Sequence, residues 1–401
     1  MSWQSPSDPS GLTGEAPDPV LRPPDPGPTG GTEPSRSRRL PIVVGALGAS
    51  VVAAVLALSA LGSPTTPAGI PSATGTSSGV GAATAPAATA TPDAVLTADV
   101  DAASVADRVI PSVVYVEVLR GAPAGQTAAV ASGSGVVIDT EGHIVTNRHV
   151  VAAGTAYRVV LSDGRTYGAT LIGVDEATDL AVLGVSADGL TPIAMGSSDA
   201  LGVGDPAVAV GSPLGLQGGP SLTVGVVSAF GREVTTDSST LYGMLQTDAA
   251  ITEGSSGGAL VDEAGRLIGI TTAVGVSRVG VEGIGFATPV EIVERVAGEL
   301  LTDGVATQAG LGITGETAYR AMADGGERPV GVEILAIRAG SAASDAGLAV
   351  GDVISEVAAT PVDTMDELIA ALRRHAAGDR VSLTVDGGGV SRTVEVALQA
   401  L

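Results

Sequence analysis

From Val113 to Ile270 the chain repeats one pattern, a short run of branched apolar residues followed by a glycine or polar break. The runs are Val113 to Val118, Gly135 to Ile138, Arg158 to Leu161, Leu171 to Val174, Leu180 to Leu183, Ala207 to Val210, Gly225 to Val227 and Leu267 to Ile270. Branched side chains suit a pleated backbone, and breaks at this spacing leave room for turns but not for crossover helices. The series predicts antiparallel strands closed into barrels or packed as a sandwich. Aromatic residues are only 2% of the chain, against 57 glycines, so the core must be built from Val, Ile, Leu and Ala. A length of 401 residues suffices for two or three domains.

A formal charge of −23 and a pI near 4.3 argue against nucleic acid or an anionic membrane surface as partner. The lack of cysteine removes disulfides, thiol nucleophiles and thiolate metal sites. His143, His149 and His375 are too few for a histidine metal cluster, so neither a cofactor nor a metal is expected.

Residues 1–39 are rich in Pro, Gly, Ser and acids and poor in large apolar side chains, which predicts a disordered tail. Arg36, Arg38 and Arg39 then precede an uncharged apolar stretch, residues 40–61. As a helix it would span roughly 33 Å, enough for a bilayer core of about 30 Å, and it reads as a transmembrane segment. The arginines on its N-terminal side place the tail in the cytoplasm and the rest outside. A cleaved signal peptide is the alternative, with Ala60-Leu61-Gly62 as the cut site, but so long a tail ahead of the apolar run is unusual for one. Residues 62–94, mostly Ala, Thr, Ser, Gly and Pro, read as a flexible linker.

Ordered sequence resumes near Val95, with a short helix over Val105 to Ile110 ended by Pro111. The β region closes at Gly283-Ile284-Gly285-Phe286-Ala287. In the helix that follows, Thr288 is the predicted N-cap, Pro289 the first helical residue and Glu291 the far half of a capping box. Ile292, Val293, Val296 and Leu300 share one face of it. After Thr302-Asp303-Gly304 a second unit begins, so the predicted division is 95–303 and 304–401. The second unit holds a turn of helix from Ser341 to Gly347 and a helix from Met365 to Ala376, capped by Thr364 and Glu367. Val381 to Val385 and Thr393 to Val396 form a hairpin around Asp386-Gly387-Gly388-Gly389.

The chemistry centres on Gly254-Ser255-Ser256-Gly257-Gly258. The segment fits G-x-S-x-G, the nucleophile elbow of α/β-hydrolases, and equally the G-x-S-G-G of chymotrypsin-like proteases. A plain Gly/Ser turn is a third reading. A serine hydroxyl needs a base to take its proton and a third group to orient that base. His149, at a strand end with a polar break, and Asp179, just ahead of an apolar strand, are candidates; each alone reads as an ordinary loop or strand-cap residue. An α/β-hydrolase requires Ser, acid, His in chain order, which would force His375, from the second unit, onto Ser256. The order His149, Asp179, Ser256 is that of chymotrypsin.

Six stretches then match one pattern in order: Gly133-Ser134-Gly135-Val136-Val137-Ile138, Thr146-Asn147-Arg148-His149-Val150-Val151, Asp179-Leu180-Ala181-Val182-Leu183, Thr247-Asp248-Ala249-Ala250-Ile251, Gly254 to Gly258, and Gly283 to Ala287. With Gly310-Leu311-Gly312-Ile313 opening the second unit, the chain resembles the HtrA/DegP family of trypsin-like serine proteases carrying a PDZ domain. The resemblance implies an all-β, chymotrypsin-like double barrel followed by a small α+β PDZ domain. It implies that Ser256 attacks the peptide carbonyl, His149 shuttles the proton and Asp179 holds the imidazole tautomer. The N–H groups of Gly254 and Ser256 would form the oxyanion hole. Thr252-Glu253 replaces the usual Asn-Pro, Ser255 the usual Asn and Ala259 the usual Pro, so the sequence leaves open whether that hole is formed at rest.

In trypsin-like enzymes a carboxylate six residues before the serine attracts basic side chains. Here that position is Ala250, flanked by Ile251, which predicts cleavage after small aliphatic residues. The PDZ resemblance implies capture of a terminal carboxylate by the Gly310-Leu311-Gly312-Ile313 loop, with Leu368 and Leu372 lining an apolar pocket or simply packing the core. The partners so implied are unfolded or C-terminal-tail protein substrates. The family commonly forms homotrimers through aromatic contacts near the start of the protease domain, and residues 94–110 contain no aromatic residue. The expected protein is a single-pass, membrane-anchored endopeptidase acting outside the cytoplasm. The alternatives are a PDZ-centred peptide sensor or chaperone in which cleavage is dispensable, and a soluble secreted form.

Overall fold

A computed structural model describes residues 100–121, 127–213, 219–236, 239–272 and 283–401. The expected tail, transmembrane segment and linker lie outside these residues. No helix among the described residues is long and apolar enough to cross a membrane.

Helix α1 (Ala102–Val109) comes first. Asp101 caps it, its carboxylate accepting the Ser104 N–H at 3.1 Å, and Val105 and Val109 form its buried face. The cap starts the helix earlier than its apolar residues suggest. Pro111 falls in a 3-10 turn, Ile110–Ser112, that continues into the first strand. A proline is accommodated there because the first residues of a helical turn need no N–H partner.

Strands β1 (Val113–Gly121), β2 (Thr127–Val137), β3 (His143–Asn147), β4 (Ala156–Val160), β5 (Thr166–Asp175) and β6 (Leu180–Val185) close a barrel in the order β1-β2-β3-β6-β5-β4. The single turn α2 (Arg148–Val151) lies between β3 and β4. Val114, Val116, Val137, Ile144, Ala181 and Leu183 pack together in one buried cluster of this half.

The second half holds β7 (Ala194–Met195), β8 (Pro206–Gly211), β9 (Ser221–Thr235), β10 (Thr240–Thr247), β11 (Ala259–Val261), β12 (Arg266–Thr272) and β13 (Gly285–Pro289). They pair in the order β11-β8-β9-β10-β13-β12-β7, and a further β11–β12 pairing closes the ring. Helix α3 (Val290–Asp303) follows and buries Val290, Ile292, Val293, Val296, Ala297 and Leu300. These side chains join Val145 and Val182 of the first barrel and Val208 and Ile270 of the second in one continuous core. The two barrels therefore share a hydrophobic seam.

The predicted cap of α3 is not formed. Thr288 belongs to β13, where it pairs with Ile270 and points its hydroxyl at the Met244 sulfur. Pro289 immediately precedes the helix and gives it no side-chain cap. Glu291 reaches away from its helix to accept the Ser198 N–H at 2.8 Å and the Ser197 hydroxyl at 2.9 Å. Burial works to raise its carboxyl, and the hydrogen bonds from Ser198 and Ser197 outweigh this and hold it below the ordinary glutamate value. Sheet pairing took the threonine and a loop took the glutamate.

The remaining elements are β14 (Ala309–Gly310), β15 (Ile313–Ala321), β16 (Glu327–Ile337), α4 (Ala342–Asp345), β17 (Val353–Val357), β18 (Thr360–Pro361), α5 (Met365–Leu372), β19 (Arg380–Gly387), β20 (Val390–Ala397) and β21 (Gln399–Ala400). The main sheet runs β15-β16-β17-β19-β20, with β18 on β17 and β14 paired to β21. Val332, Ile334, Ile354, Leu368 and Leu383 belong to its separate core. Thr364 and Glu367 form both halves of the expected capping box of α5. The helix ends at Leu372 rather than Ala376: beyond it the Arg374 and His375 N–H groups bond three residues back instead of four, and the Ala376 N–H turns to the Asp379 carboxylate at 2.9 Å. His375 is therefore not on an exposed last helical turn: it lies in the turn beyond the helix, its side chain 26% exposed. Burial holds its imidazole below the ordinary histidine value. The β19–β20 hairpin turns on Gly388 and Gly389 at φ +60° and +85°, the left-handed pair that a two-residue type I′ turn requires.

Candidate active site

His149 and Asp179 are brought together by strand register. Asn147 of β3 pairs with Leu180 of β6, so the residues just beyond that pair, on α2 and on the loop before β6, meet at the barrel rim. His149 Nδ1 lies 2.5 Å from Asp179 Oδ2, and the His149 N–H donates to Asp179 Oδ1 at 3.0 Å. Asp179 takes φ +56°, a left-handed backbone that costs a non-glycine residue on the order of 1 kcal/mol. Its carbonyl is held by the Arg148 N–H at 2.8 Å and by Asn147 Nδ2 at 3.1 Å. The Nδ1 edge of the imidazole is thus fixed by a nearly buried carboxylate, while the His149 side chain stays 29% exposed.

The serine loop is anchored from both barrels. Thr252 accepts the Ser255 N–H at 2.9 Å, with Gly254 at φ +89°, which is a type II turn about the Glu253–Gly254 peptide. Compared with a type I turn this rotates that peptide over, so the Gly254 N–H faces the opposite side. The Ser134 N–H donates to the Ser256 carbonyl at 2.8 Å, and the Ser134 hydroxyl donates to the Gly254 carbonyl at 2.8 Å while accepting the Ser212 N–H. From the second barrel, Thr271 accepts the Gly257 N–H at 2.9 Å and its hydroxyl donates to the Ser255 carbonyl at 2.7 Å. Gly257 has φ +84°, and a Cβ there would collide with the Ser134 carbonyl oxygen and the Thr146 hydroxyl. Only glycine fits. Gly133 is packed against both Val150, next to His149, and the Ser256 carbonyl, so the serine backbone and the histidine turn converge there.

Ser134, Thr146 and Asn147 were not singled out in the sequence, although all lie inside the matched motifs. Their signal is a polar side chain within an apolar strand, and each is fully buried in the fold. Asn147 also donates to the Thr272 hydroxyl at 3.1 Å, linking the two barrels beside Asp179.

Residues 133–270 match the family model of the trypsin-like peptidase domain, and residues 309–398 that of the PDZ domain. The chain is 39% identical over 287 residues to the serine protease Do-like HtrA of Lactococcus lactis subsp. cremoris, covering 67% of this chain and 70% of that one. The chain belongs to the HtrA family of trypsin-like serine proteases. It is also 39% identical over 317 residues to serine protease PepD of Mycobacterium tuberculosis, covering 73% of this chain and 65% of PepD. Periplasmic serine endoprotease DegP of Escherichia coli is 38% identical over 280 residues, 68% of this chain and 58% of DegP. This chain thus spans less than two thirds of PepD and of DegP. Among solved structures, the HtrA-type protease AlgW with a decapeptide superimposes with a TM-score of 0.58 at 30% identity, over 75% of this chain and 99% of that one.

In this HtrA chain Ala250 is exposed beside the serine loop, its carbonyl accepting the Thr223 hydroxyl at 2.9 Å, and Ile251 packs against Gly285. Asp248, the nearest acid upstream, turns aside to accept the Val226 N–H at 2.7 Å. The PDZ-like part carries a cavity of about 320 Å³ that brings Gly310, Leu311, Gly312 and Ile313 together with Leu368 and Leu372. The two leucines are also members of the core, so packing and lining are not alternatives here. The lining residues that were not foreseen include Arg373, just past α5, Tyr242, from β10 of the second barrel, and Leu401.

Proposed function

We propose that the chain is a serine endopeptidase, residues 95–303, coupled to a peptide-binding PDZ module, residues 304–401. Ser256 Oγ attacks the scissile carbonyl and His149 Nε2 takes its proton, later giving it to the leaving amine. Asp179 keeps the Nδ1–H tautomer facing itself and stabilises the imidazolium formed during attack. The observation that carries this reading is the double capture of His149 by Asp179, through Nδ1 at 2.5 Å and the backbone N–H at 3.0 Å. The N–H groups of Gly254 and Ser256 are the oxyanion donors. The type II turn at Gly254 supports a hole assembled before substrate arrives, despite the unusual Thr252-Glu253 shoulder.

Ala250 and Ile251 floor a pocket for small aliphatic side chains, and Gly310 to Ile313 with Leu368 and Leu372 form the peptide groove. The substrates are unfolded proteins or exposed C-terminal tails. Residues 40–61 anchor the chain in the membrane with the protease outside the cytoplasm, as their uncharged length and the preceding arginines indicate. Membership of the HtrA family supports assembly into an oligomer, which we take to be a homotrimer.

A fluorophosphonate probe tests the site. Wild type is expected to label and Ser256→Ala not to; label persisting in the variant sinks the assignment of Ser256. A wild type that takes no label favours a PDZ-centred sensor or chaperone instead. Cut sites mapped on an unfolded protein are expected after Val, Ala or Ile, and a preference for Arg or Lys would overturn the pocket reading.

A further inference from the structure

Arg373 is a cation at the wall of an apolar groove. Its neighbour Arg374 pairs with Asp199 at 2.5 Å and lies 3.5 Å from Glu291. Arg373 makes no ion pair among the described residues. Its guanidinium instead lies over the Tyr242 ring, 4.9 Å from the centroid. Around it the cavity is lined by Leu311, Ile313, Leu368, Ile369, Leu372 and Leu401, the last residue of the chain. Burial pulls the guanidinium below its ordinary pKa, while Asp175 and Tyr242 partly offset this and Arg295 adds repulsion. Asp175, whose carboxylate accepts from Thr178 and from Gln308 Nε2, offsets part of the burial without forming an ion pair with Arg373.

A partly desolvated guanidinium is costly unless an anion joins it, and a guanidinium resting on a ring keeps its N–H fork free for a carboxylate. We propose that Arg373, steadied by Tyr242 of the protease half, supplies the positive charge that receives the α-carboxylate of a peptide ending in an aliphatic residue. The aliphatic side chain takes the pocket between Leu368 and Leu372. The inference rests on the reading of this groove as the peptide site. It adds that the site is complete only when the second barrel contributes Tyr242, so the isolated C-terminal part would hold its cation less well.

The test uses the full chain with Ser256→Ala to prevent cleavage, and a fluorescein-labelled decapeptide ending in Ala-Leu-Val as free acid and as C-terminal amide. Fluorescence anisotropy is expected to show the acid binding about tenfold or more tighter than the amide. In Arg373→Gln the two forms are expected to bind almost alike, with the amide's affinity close to that of the parent. Arg373→Lys should keep part of the acid–amide difference, and Tyr242→Leu should reduce it. Thermal melts identify any variant that fails to fold, and Arg373→Lys with Tyr242→Leu then carries the comparison. An acid–amide ratio unchanged in Arg373→Gln overturns the role of Arg373 while leaving the groove as a peptide site. No binding of either form to the parent overturns both, and fluorophosphonate labelling of the active chain reports separately on Ser256.

Discussion

Asp179 receives hydrogen bonds from Arg148, Asn147 and two atoms of His149. Arg373, a less deeply buried charge, rests on an aromatic ring and has no ion-pair partner among the described residues. The contrast separates two kinds of site. Chemistry on a peptide bond requires the base to be oriented before substrate arrives, since reorganisation during the reaction would add to the barrier. Recognition works the other way: a charge left under-compensated by its own protein gains most when the right partner arrives.

The largest expected effect breaks the Asp179 side of this comparison. Asp179→Asn keeps the shape but inverts the tautomer preference of His149, and should lower kcat by about 10⁴ with folding intact. Cleavage of an unfolded protein, followed beside a thermal melt, checks this; a loss below tenfold would mean that the aspartate does not orient the base. Asn147→Ala probes the same site one step further out. It removes the side-chain bonds to the left-handed Asp179 carbonyl and to Thr272, and should lower kcat by on the order of tenfold with KM little changed. An effect on KM alone would show that Asn147 serves substrate binding rather than His149–Asp179 alignment.

The smallest effect lies at the groove end. The folded-state pKa of His375 is depressed by burial, so the neutral form is favoured on folding. Its contribution to stability is present above the unfolded value near 6.5 and is lost as pH falls through the lower folded value. Between pH 7 and 5 the wild-type Tm should fall more than that of His375→Gln, by about 2 °C. Parallel Tm profiles would show that acid does not act on the fold through this imidazole.

Much of this was legible in the sequence because strands and motifs are local. Each run from Val113 to Ile270 lies within or across the strand expected of it, and Thr364 with Glu367 capped α5 because nothing else competed for them. Thr288 and Glu291 show the limit. Their spacing fits a capping box, yet sheet pairing with Ile270 and the loop at Ser197 and Ser198 claimed them, and neither competitor is near in sequence. The candidate site divides the same way. His149, Asp179 and Ser256 stand out by motif and order, whereas Asn147 and Ser134 matter through contacts made only when the barrels meet. Tyr242 is harder still: nothing in β10 marks it as a wall of a groove built mostly more than sixty residues later.

Ser134 has a consequence for the life of the chain before it is finished. Its N–H and hydroxyl hold the Ser256 loop from the first barrel, and that loop cannot exist until the second barrel has been made. A chain emerging during synthesis carries His149 and Asp179 long before Ser256, and even then the serine loop lacks its mooring until the two halves dock. The three residues can meet only once both halves have docked, so the constellation belongs to the finished molecule and not to the growing chain.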